Sequence, residues 1–337
     1  SFFTFQAIAY SIDVYRGVIR PEKNLIKFAF FISFFIQLIA GPILRAKGFL
    51  SQLSRTKVFI IKNFEMGFYL ILWGLIKKVV IADNLAPFVN EYFGSPQNNF
   101  FDAWLAIYAF AFQIYCDFSG YCDIAVGCAK ILGFNIPLNF RQPYLAQNIT
   151  LFWRRWHITL SGWFRDYLFI PLGGSNVRAV RYYANLLIVM LIGGVWHGAN
   201  YTFIVWGLYH GLLLVAHKVY SKYINISIPK IIGILITFHL VCLGWIFFRA
   251  DNIHLAWDVF RAAFKIQEFD VSYLNSAMKL AFFLVPLLIL QVFERRFRLK
   301  QNFINFPFVL RFTFAIVAVL SVTLFGIRGN EFIYFEF

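Results

Sequence analysis

Six histidines are the side chains in this 337-residue chain best suited to moving a proton, and three of them keep unusual company. Gly194-Val-Trp-His197-Gly198 and Gly207-Leu-Tyr-His210-Gly211 repeat one local pattern inside an apolar stretch, GGVWHGANYTFIVWGLYHG. A titratable ring is expensive in such a setting, so it marks either a functional group or a specific internal contact. His197 can serve as a neutral general base. Its competing role is to bridge two helices, because Gly194 and Gly198 form a G-x-x-x-G pair that admits a neighbouring backbone. His157 lies in NITLFWRRWHITLSGWFRDYLFIPLGG (148–174), where helical spacing puts Trp153, His157 and Ser161 on one face, with Arg154 beside them. An interfacial helix whose histidine bonds a backbone carbonyl is the alternative there.

Helical arithmetic argues against a His197–His210 dyad. In one helix the two would be separated by nearly 20 Å of rise; with a turn at Gly198-Ala199-Asn200, His210 falls about 15 Å along the next helix. The repeated glycines then read as a packing device, and His210 as a core or pocket-wall residue. His217, next to Lys218, reads as interfacial, and nothing at helical spacing around His239 or His254 suggests a site. Cys116, Cys122 and Cys128 recur every six residues, about 240° apart on a helix, so they cannot line one face. With Cys242 they read as buried thiols, with neither zinc spacing nor a disulfide framework.

The elements that must hold these groups are membrane elements. The chain is 60% hydrophobic and 14% charged with a mean hydropathy of +0.67, against about 45–50% and 25% for soluble domains. Its net charge of +15 sits in short basic clusters between apolar runs, the pattern of cytoplasmic loops. No aromatic platform or reading helix for nucleic acid accompanies it. Candidate spans are 2–15, 25–41, 66–82, 103–117, 183–197, 200–217, 231–248, 280–293 and 308–325, several of them short for a full crossing. Loops 43–64, 218–230 and 294–302 are basic and predicted cytoplasmic; 83–102, with Asp83, Glu91 and Asp102, is predicted external, as is 249–279. Arg16, Arg20, Lys23 and Lys27 break the alternation, so either 25–41 does not span or helices precede residue 1. The chain opens apolar on SFFTFQAIAY, and an N-terminal portion with further helices is expected. Region 118–182, aromatic and basic and punctuated by Pro137, Pro143, Pro171 and Gly173-Gly174, is predicted to be a cytoplasm-facing re-entrant or interfacial region. Irregular backbone at membrane depth requires surrounding protein or a watery cavity.

These residues resemble the membrane-bound O-acyltransferase family, in particular its bacterial alginate O-acetyltransferase branch; D-alanyl transfer proteins share part of the pattern. The matching pieces are SFFTFQAIAYSIDVYRG (1–17), QLIAGPILR (37–45), YCDFSGYCDIAVGCAKILGF (115–134), NFRQPYLAQNITLFWRRWHITLSGWFRDYLFIPLGG (139–174), GGVWHGANYTFIVWGLYHG (193–211) and FIYFEF (332–337). The resemblance implies an all-α polytopic membrane protein, one domain over 1–337: a ring of about 8–9 transmembrane or re-entrant helices around a thin core, with funnels from both faces. It implies a multi-pass protein of the bacterial cytoplasmic (inner) membrane that moves an acyl group from a cytoplasmic thioester to a hydroxyl handled outside.

On that resemblance His197, in the W-H-G segment, matches the family's essential histidine and is assigned the general base. His157 positions or polarises the donor, with Trp153, Arg154, Arg155 and Asn200 in the substrate-binding set and Asp117 and Asp166 orienting these groups. Acetyl-CoA is the expected donor, with no bound cofactor and no metal. The expected partners are the bilayer, a polysaccharide acceptor (an alginate-like exopolysaccharide or peptidoglycan) and an extracytoplasmic, esterase-like transfer protein. A carrier-protein thioester serving teichoic acid is the alternative within the family. A transporter with a histidine proton path is the alternative of another class, although the inverted repeats it calls for are absent from the sequence; an inactive scaffold is a third.

Overall fold

The computed structural model describes residues 2–37, 41–96, 99–224, 226–266, 270–297, 299–327 and 332–333. Residues 38–40 of the QLIAGPILR piece and 334–337 of FIYFEF lie outside the described residues. Secondary structure among the described residues is helical throughout: α1 (Phe2–Tyr15), α2 (Leu25–Ile32), α3 (Ala46–Leu53), α4 (Ile61–Leu75), α5 (Asp83–Gly94), α6 (Phe100–Ile131), α7 (Ile149–Trp153), α8 (Ile158–Phe164), α9 (Ala179–His197), α10 (Tyr201–Tyr223), α11 (Lys230–Arg249), α12 (Ile253–Ala262), α13 (Ser272–Phe297), α14 (Leu299–Asn302) and α15 (Phe308–Phe325). Of these, α9, α10, α11, α13 and α15 are long and apolar enough to cross a membrane.

Asparagine sets many of the starts. Asn24, Asn99, Asn148, Asn200 and Asn252 precede α2, α6, α7, α10 and α12, and each side chain accepts a backbone N–H of the first turn. A short side chain with an oxygen at that position satisfies one of the donors a helix start leaves open.

At the centre, α6 is buried on nearly every face. It lies against α4 by means of four glycines spaced two turns apart. A Cβ at Gly67 would stand 2.6 Å from Gly127 O and one at Gly74 2.5 Å from Gly120 O; the reverse pairs are as tight, at 2.5 and 2.7 Å. Only backbone fits between the two helices, which is how small residues join helices where lipid supplies no hydrophobic drive. The π-helical turn Ile76–Ala82 carries α4 directly into α5. Its consecutive lysines reach opposite flanks of α6. Lys77, 2% exposed, is ion-paired with Asp123 and donates to Ser119 Oγ at 3.1 Å; Lys78 Nζ pairs with Asp117 at 2.6 Å and Asp83 at 2.8 Å. Such wide turns recur where a helix carries a special task.

Several sequence expectations are corrected here. Segment 25–41 does not form a span: α2 has eight residues, about 12 Å of rise, and a short 3₁₀ turn follows at Phe35–Gln37. The span placed at 103–117 runs on to Ile131, so 118–131 belongs to the buried helix and not to the interfacial region; Gly120 and Gly127 explain why, since they seat it on α4. The loop drawn at 83–102 is largely α5, with Asp83 turned inward. What remains irregular is 132–178, where short helices alternate with turns.

Candidate active site

The irregular segment 132–178 is held open by its own backbone. Arg141 N donates to Arg155 O at 3.0 Å and Ile158 N donates to Asn139 O at 2.9 Å, so segment 139–141 competes with helical bonding. The Asn139 carboxamide oxygen adds two acceptors' worth of hold, taking Thr159 N at 3.2 Å and Thr159 Oγ1 at 2.6 Å. Helix α7 therefore stops at Trp153, and His157 stands in the left-handed region at φ 42° before α8 begins. A non-glycine residue keeps such a backbone only where its surroundings fix it. The helical face expected for Trp153, His157 and Ser161 does not exist, because the chain is unwound between the first two. His157 is 1% exposed, its ring edge-on to Phe118 at 4.8 Å.

Helices α9 and α10 form an antiparallel hairpin, and its glycines pack as expected. A side chain on Gly194 would strike Phe203 O, and one on Gly207 would stand 2.5 Å from Met190 O. Beside this hairpin runs a cavity of about 530 Å³. From α9 it takes Tyr182, Leu186, Val189, Gly193 and His197, a helical stripe along almost the whole element. Fifteen residues separate the first and last, about 22 Å of rise, most of a hydrocarbon core. Arg154, Arg165, Lys218 and Trp206 also line it; Lys218, near the end of α10, lies at the opposite end of the hairpin from His197. Asp166 steadies Arg165, whose Nε donates to Asp166 Oδ1 at 2.7 Å; that bond, partly opposed by burial, raises the guanidinium's pKa.

A second cavity, of about 510 Å³, begins one residue beyond His197. Gly198, Asn200, Thr202, Phe203, Phe248 and Arg249 contribute to its walls. Gly198 ends α9 in an extended conformation at φ 169°. The His197 ring meets Phe248 edge-on at 4.9 Å, Trp206 at 5.2 Å and Phe203 at 6.1 Å. His197 is thus partly exposed in a partition of aromatic rings: it lines the first cavity, and Phe203 and Phe248, which its ring contacts, line the second.

The predicted site residues separate accordingly. His197, Trp153 and Arg154 line the first cavity and Asn200 the second. Asn200 also ties the α9–α10 turn down, accepting Thr202 N at 3.1 Å and donating to Asp251 O at 2.6 Å. His157 is not on either wall; burial first, and then the charge of His197, holds its pKa below the ordinary imidazole value. Arg155 turns away and donates to Leu145 O at 3.1 Å. Asp117 is spent on Lys78 and on Ile333 N, which donates to it at 2.9 Å. Asp166 reaches the site only through Arg165, and also pairs with Arg45 at 3.1 Å.

His210 is closer to His197 than helical arithmetic gives. Both rings contact Trp206, at 5.0 and 5.2 Å. Side chains tilt toward the start of their own helix, so in an antiparallel hairpin these two lean toward each other. They still do not form a dyad, since the indole stands between them. His210 is fully buried, with no hydrogen-bond partner for either ring nitrogen among the described residues. Arg165 and Lys218 escaped the sequence reading, as did the Lys77–Asp123 and Lys78–Asp117 pairs. Two adjacent lysines inside a candidate span were the available signal for the latter.

Comparison with known proteins gives the family. Residues 18–257 match the membrane-bound O-acyltransferase family, MBOAT. The chain is 44% identical over 280 residues to a probable alginate O-acetylase, AlgI, of Pseudomonas aeruginosa, covering 82% of this chain and 53% of that protein. It is 42% identical over 304 residues to the AlgI of Azotobacter vinelandii, covering 89% and 60%. It is 40% identical over 305 residues to a peptidoglycan O-acetyltransferase of Helicobacter pylori, covering 82% and 58%. The chain therefore spans somewhat more than half the length of these relatives. With the family's motifs in order along an all-helical membrane chain, the protein belongs to the membrane-bound O-acyltransferase family.

Proposed function

We propose that the protein is an O-acetyltransferase of the bacterial inner membrane that passes an acetyl group from acetyl-CoA toward hydroxyls of an extracytoplasmic polysaccharide, alginate-like or peptidoglycan. The observation that carries this reading is that His197 lines one cavity and touches Phe203 and Phe248 on the wall of a second. The first reaches, at Lys218, the side of the basic loops, the cytoplasmic side by the positive-inside rule. Arg154, Arg165 and Lys218 on its wall suit the phosphates of coenzyme A, since guanidinium and ammonium groups make strong charge-assisted bonds to phosphate. The apolar trench along α9 then suits an extended thioester arm reaching toward His197.

In the reaction, neutral His197 accepts the proton of the acceptor hydroxyl as its oxygen attacks the acetyl carbonyl. The C–S bond breaks, the ester forms, and the departing thiolate takes the proton back from the imidazolium. His157 acts as a positioning residue behind the site. The second cavity admits the acceptor, either the sugar itself or the hydroxyl of an extracytoplasmic, esterase-like transfer protein. Relatives that carry the names probable alginate O-acetylase and peptidoglycan O-acetyltransferase support the choice of an acetyl group and of this acceptor class.

The test is acetyl transfer by the purified full-length protein and its His197→Gln variant. Loss of about two to four orders of magnitude in kcat, with KM for acetyl-CoA held within a few-fold, is the expected result for removal of a general base. Near-normal kcat in a folded His197→Gln protein would overturn the assignment.

A further inference from the structure

A third cavity, of about 230 Å³, opens where α13 and α14 meet the irregular segment 132–178, apart from both cavities that adjoin His197. Arg141 and Gln142 line it from one side, and Arg295, Lys300 and Gln301 from the other. Lys300 is anchored from below: its Nζ bonds Asp123 at 2.6 and 2.8 Å and lies 3.7 Å from Glu294. Burial works against its charge, but the two acids outweigh it and raise its pKa. Arg155 stands next in line, its carbonyl accepting Arg141 N at 3.0 Å; burial, and then the charge of Arg295, lower its pKa. Glu294, also on the wall, is committed to Lys300. Among the described residues, no carboxylate lies within ion-pair distance of Arg141, Arg155 or Arg295.

Topology charge alone does not account for this grouping. Solvated loop cations gain by spreading apart, whereas these converge on one concavity and repel one another, the arrangement expected of a site for a dense anion. The surroundings indicate which anion. The end of α13 that bears Arg295 also presents Val292, Phe293 and Phe297 outward, 57, 50 and 47% exposed on a membrane-crossing helix. A ligand here meets cations at its head and an apolar flank beside it.

We propose that this cavity binds the phosphate of an anionic phospholipid, with Arg141, Arg295 and Lys300 around the headgroup and the acyl chains along the outer flank of α13. Basic pockets between helices on the cytoplasmic side favour such headgroups. The site is independent of the acyl-transfer reading, and its role is to fix the junction of α13 and α14 against segment 139–142.

Thermal midpoints of the full-length protein in detergent, titrated with phosphatidylglycerol, phosphatidylcholine or inorganic phosphate, test this. Phosphatidylglycerol is expected to raise the wild-type midpoint while phosphatidylcholine and phosphate do not. The Arg141→Gln/Arg295→Gln double variant is expected to keep its lipid-free midpoint and bind phosphatidylglycerol roughly 25-fold more weakly, about fivefold per cation. Arg178→Gln/Arg181→Gln, on the same face but off the cavity, is expected to respond like the wild type. Equal protection by both lipids, an equal loss in the Arg178/Arg181 variant, or protection by inorganic phosphate at matched concentration would overturn the proposal. The first two results would indicate non-specific association and the third a free phosphate.

Discussion

The imidazole of His197 meets the ring of Phe248 edge-on at 4.9 Å, so a side chain lining the first cavity touches one lining the second. Phe248 reaches the imidazole from α11, and it is 1% exposed, so it holds His197 without room to yield. Replacing it with alanine removes one wall of the imidazole's seat. In the Phe248→Ala protein we expect acetyl transfer to fall by one to two orders of magnitude, since small misplacements of a reacting group carry such penalties. Hydrolysis of the donor thioester should rise relative to transfer, because water then reaches the site. Measuring free coenzyme A against acetylated product separates the two. Unchanged coupling would mean the ring only fills space.

The two adjacent arginines of WRRWH should not behave alike. Arg154 faces the trench, whereas Arg155 donates to Leu145 O. Arg154→Ala is expected to raise KM for acetyl-CoA about tenfold with kcat little changed, the loss of one charge-assisted phosphate contact. Arg155→Ala should leave that KM within about twofold and lower the thermal midpoint instead. Steady-state kinetics at two salt concentrations would reverse this assignment if Arg155→Ala carried the KM effect.

The glycine seam between α4 and α6 makes a stability prediction. Gly74→Ala places a methyl group 2.5 Å from Gly120 O and should destabilise the fold by about 1–3 kcal/mol as the helices are forced apart. Gly48→Ala, on α3 with nothing within 4 Å, should be neutral or slightly stabilising through better helix propensity. Thermal midpoints of the two variants, read by fluorescence-detected size exclusion, would contradict the seam if they shifted equally.

A matching argument applies to the buried ion network. Asp123 accepts from both Lys77 and Lys300, so Asp123→Asn strands Lys77, leaves Lys300 only Glu294, and should cost about 3–5 kcal/mol. Lys77→Met/Asp123→Leu, which removes the central pair together, should be less damaging than Asp123→Asn alone. A double variant no better than the single one would show that the charges themselves are required.

Much of this was legible in the sequence. The hairpin ends at His197 and Asn200 follow from glycine and asparagine, because one ends a helix and the other caps the next. The apolar runs at 183–197, 200–217, 231–248, 280–293 and 308–325 all lie in helices of crossing length. Less visible were features set by partners distant in the chain. Asn139, through its bonds to Ile158 and Thr159, unwinds the helix on which the Trp153–His157–Ser161 face depended. Nothing local in WRRWHITLS announces that. Likewise Gly120 and Gly127 carry α6 past Ser119 because Gly67 and Gly74 receive them, and side-chain tilt brings His197 and His210 nearer than backbone rise alone gives.

The central claim is that His197 works between two faces of the membrane, and sided vesicles test it most directly. Full-length protein is reconstituted so that acetyl-CoA is supplied only on the face of the basic loops and a hydroxyl acceptor only on the other. We expect the wild-type protein to acetylate the acceptor across the bilayer, and His197→Ala, equally folded, to lose at least two orders of magnitude of that transfer. Transfer that requires both substrates on one face, or that persists in His197→Ala, would contradict the account.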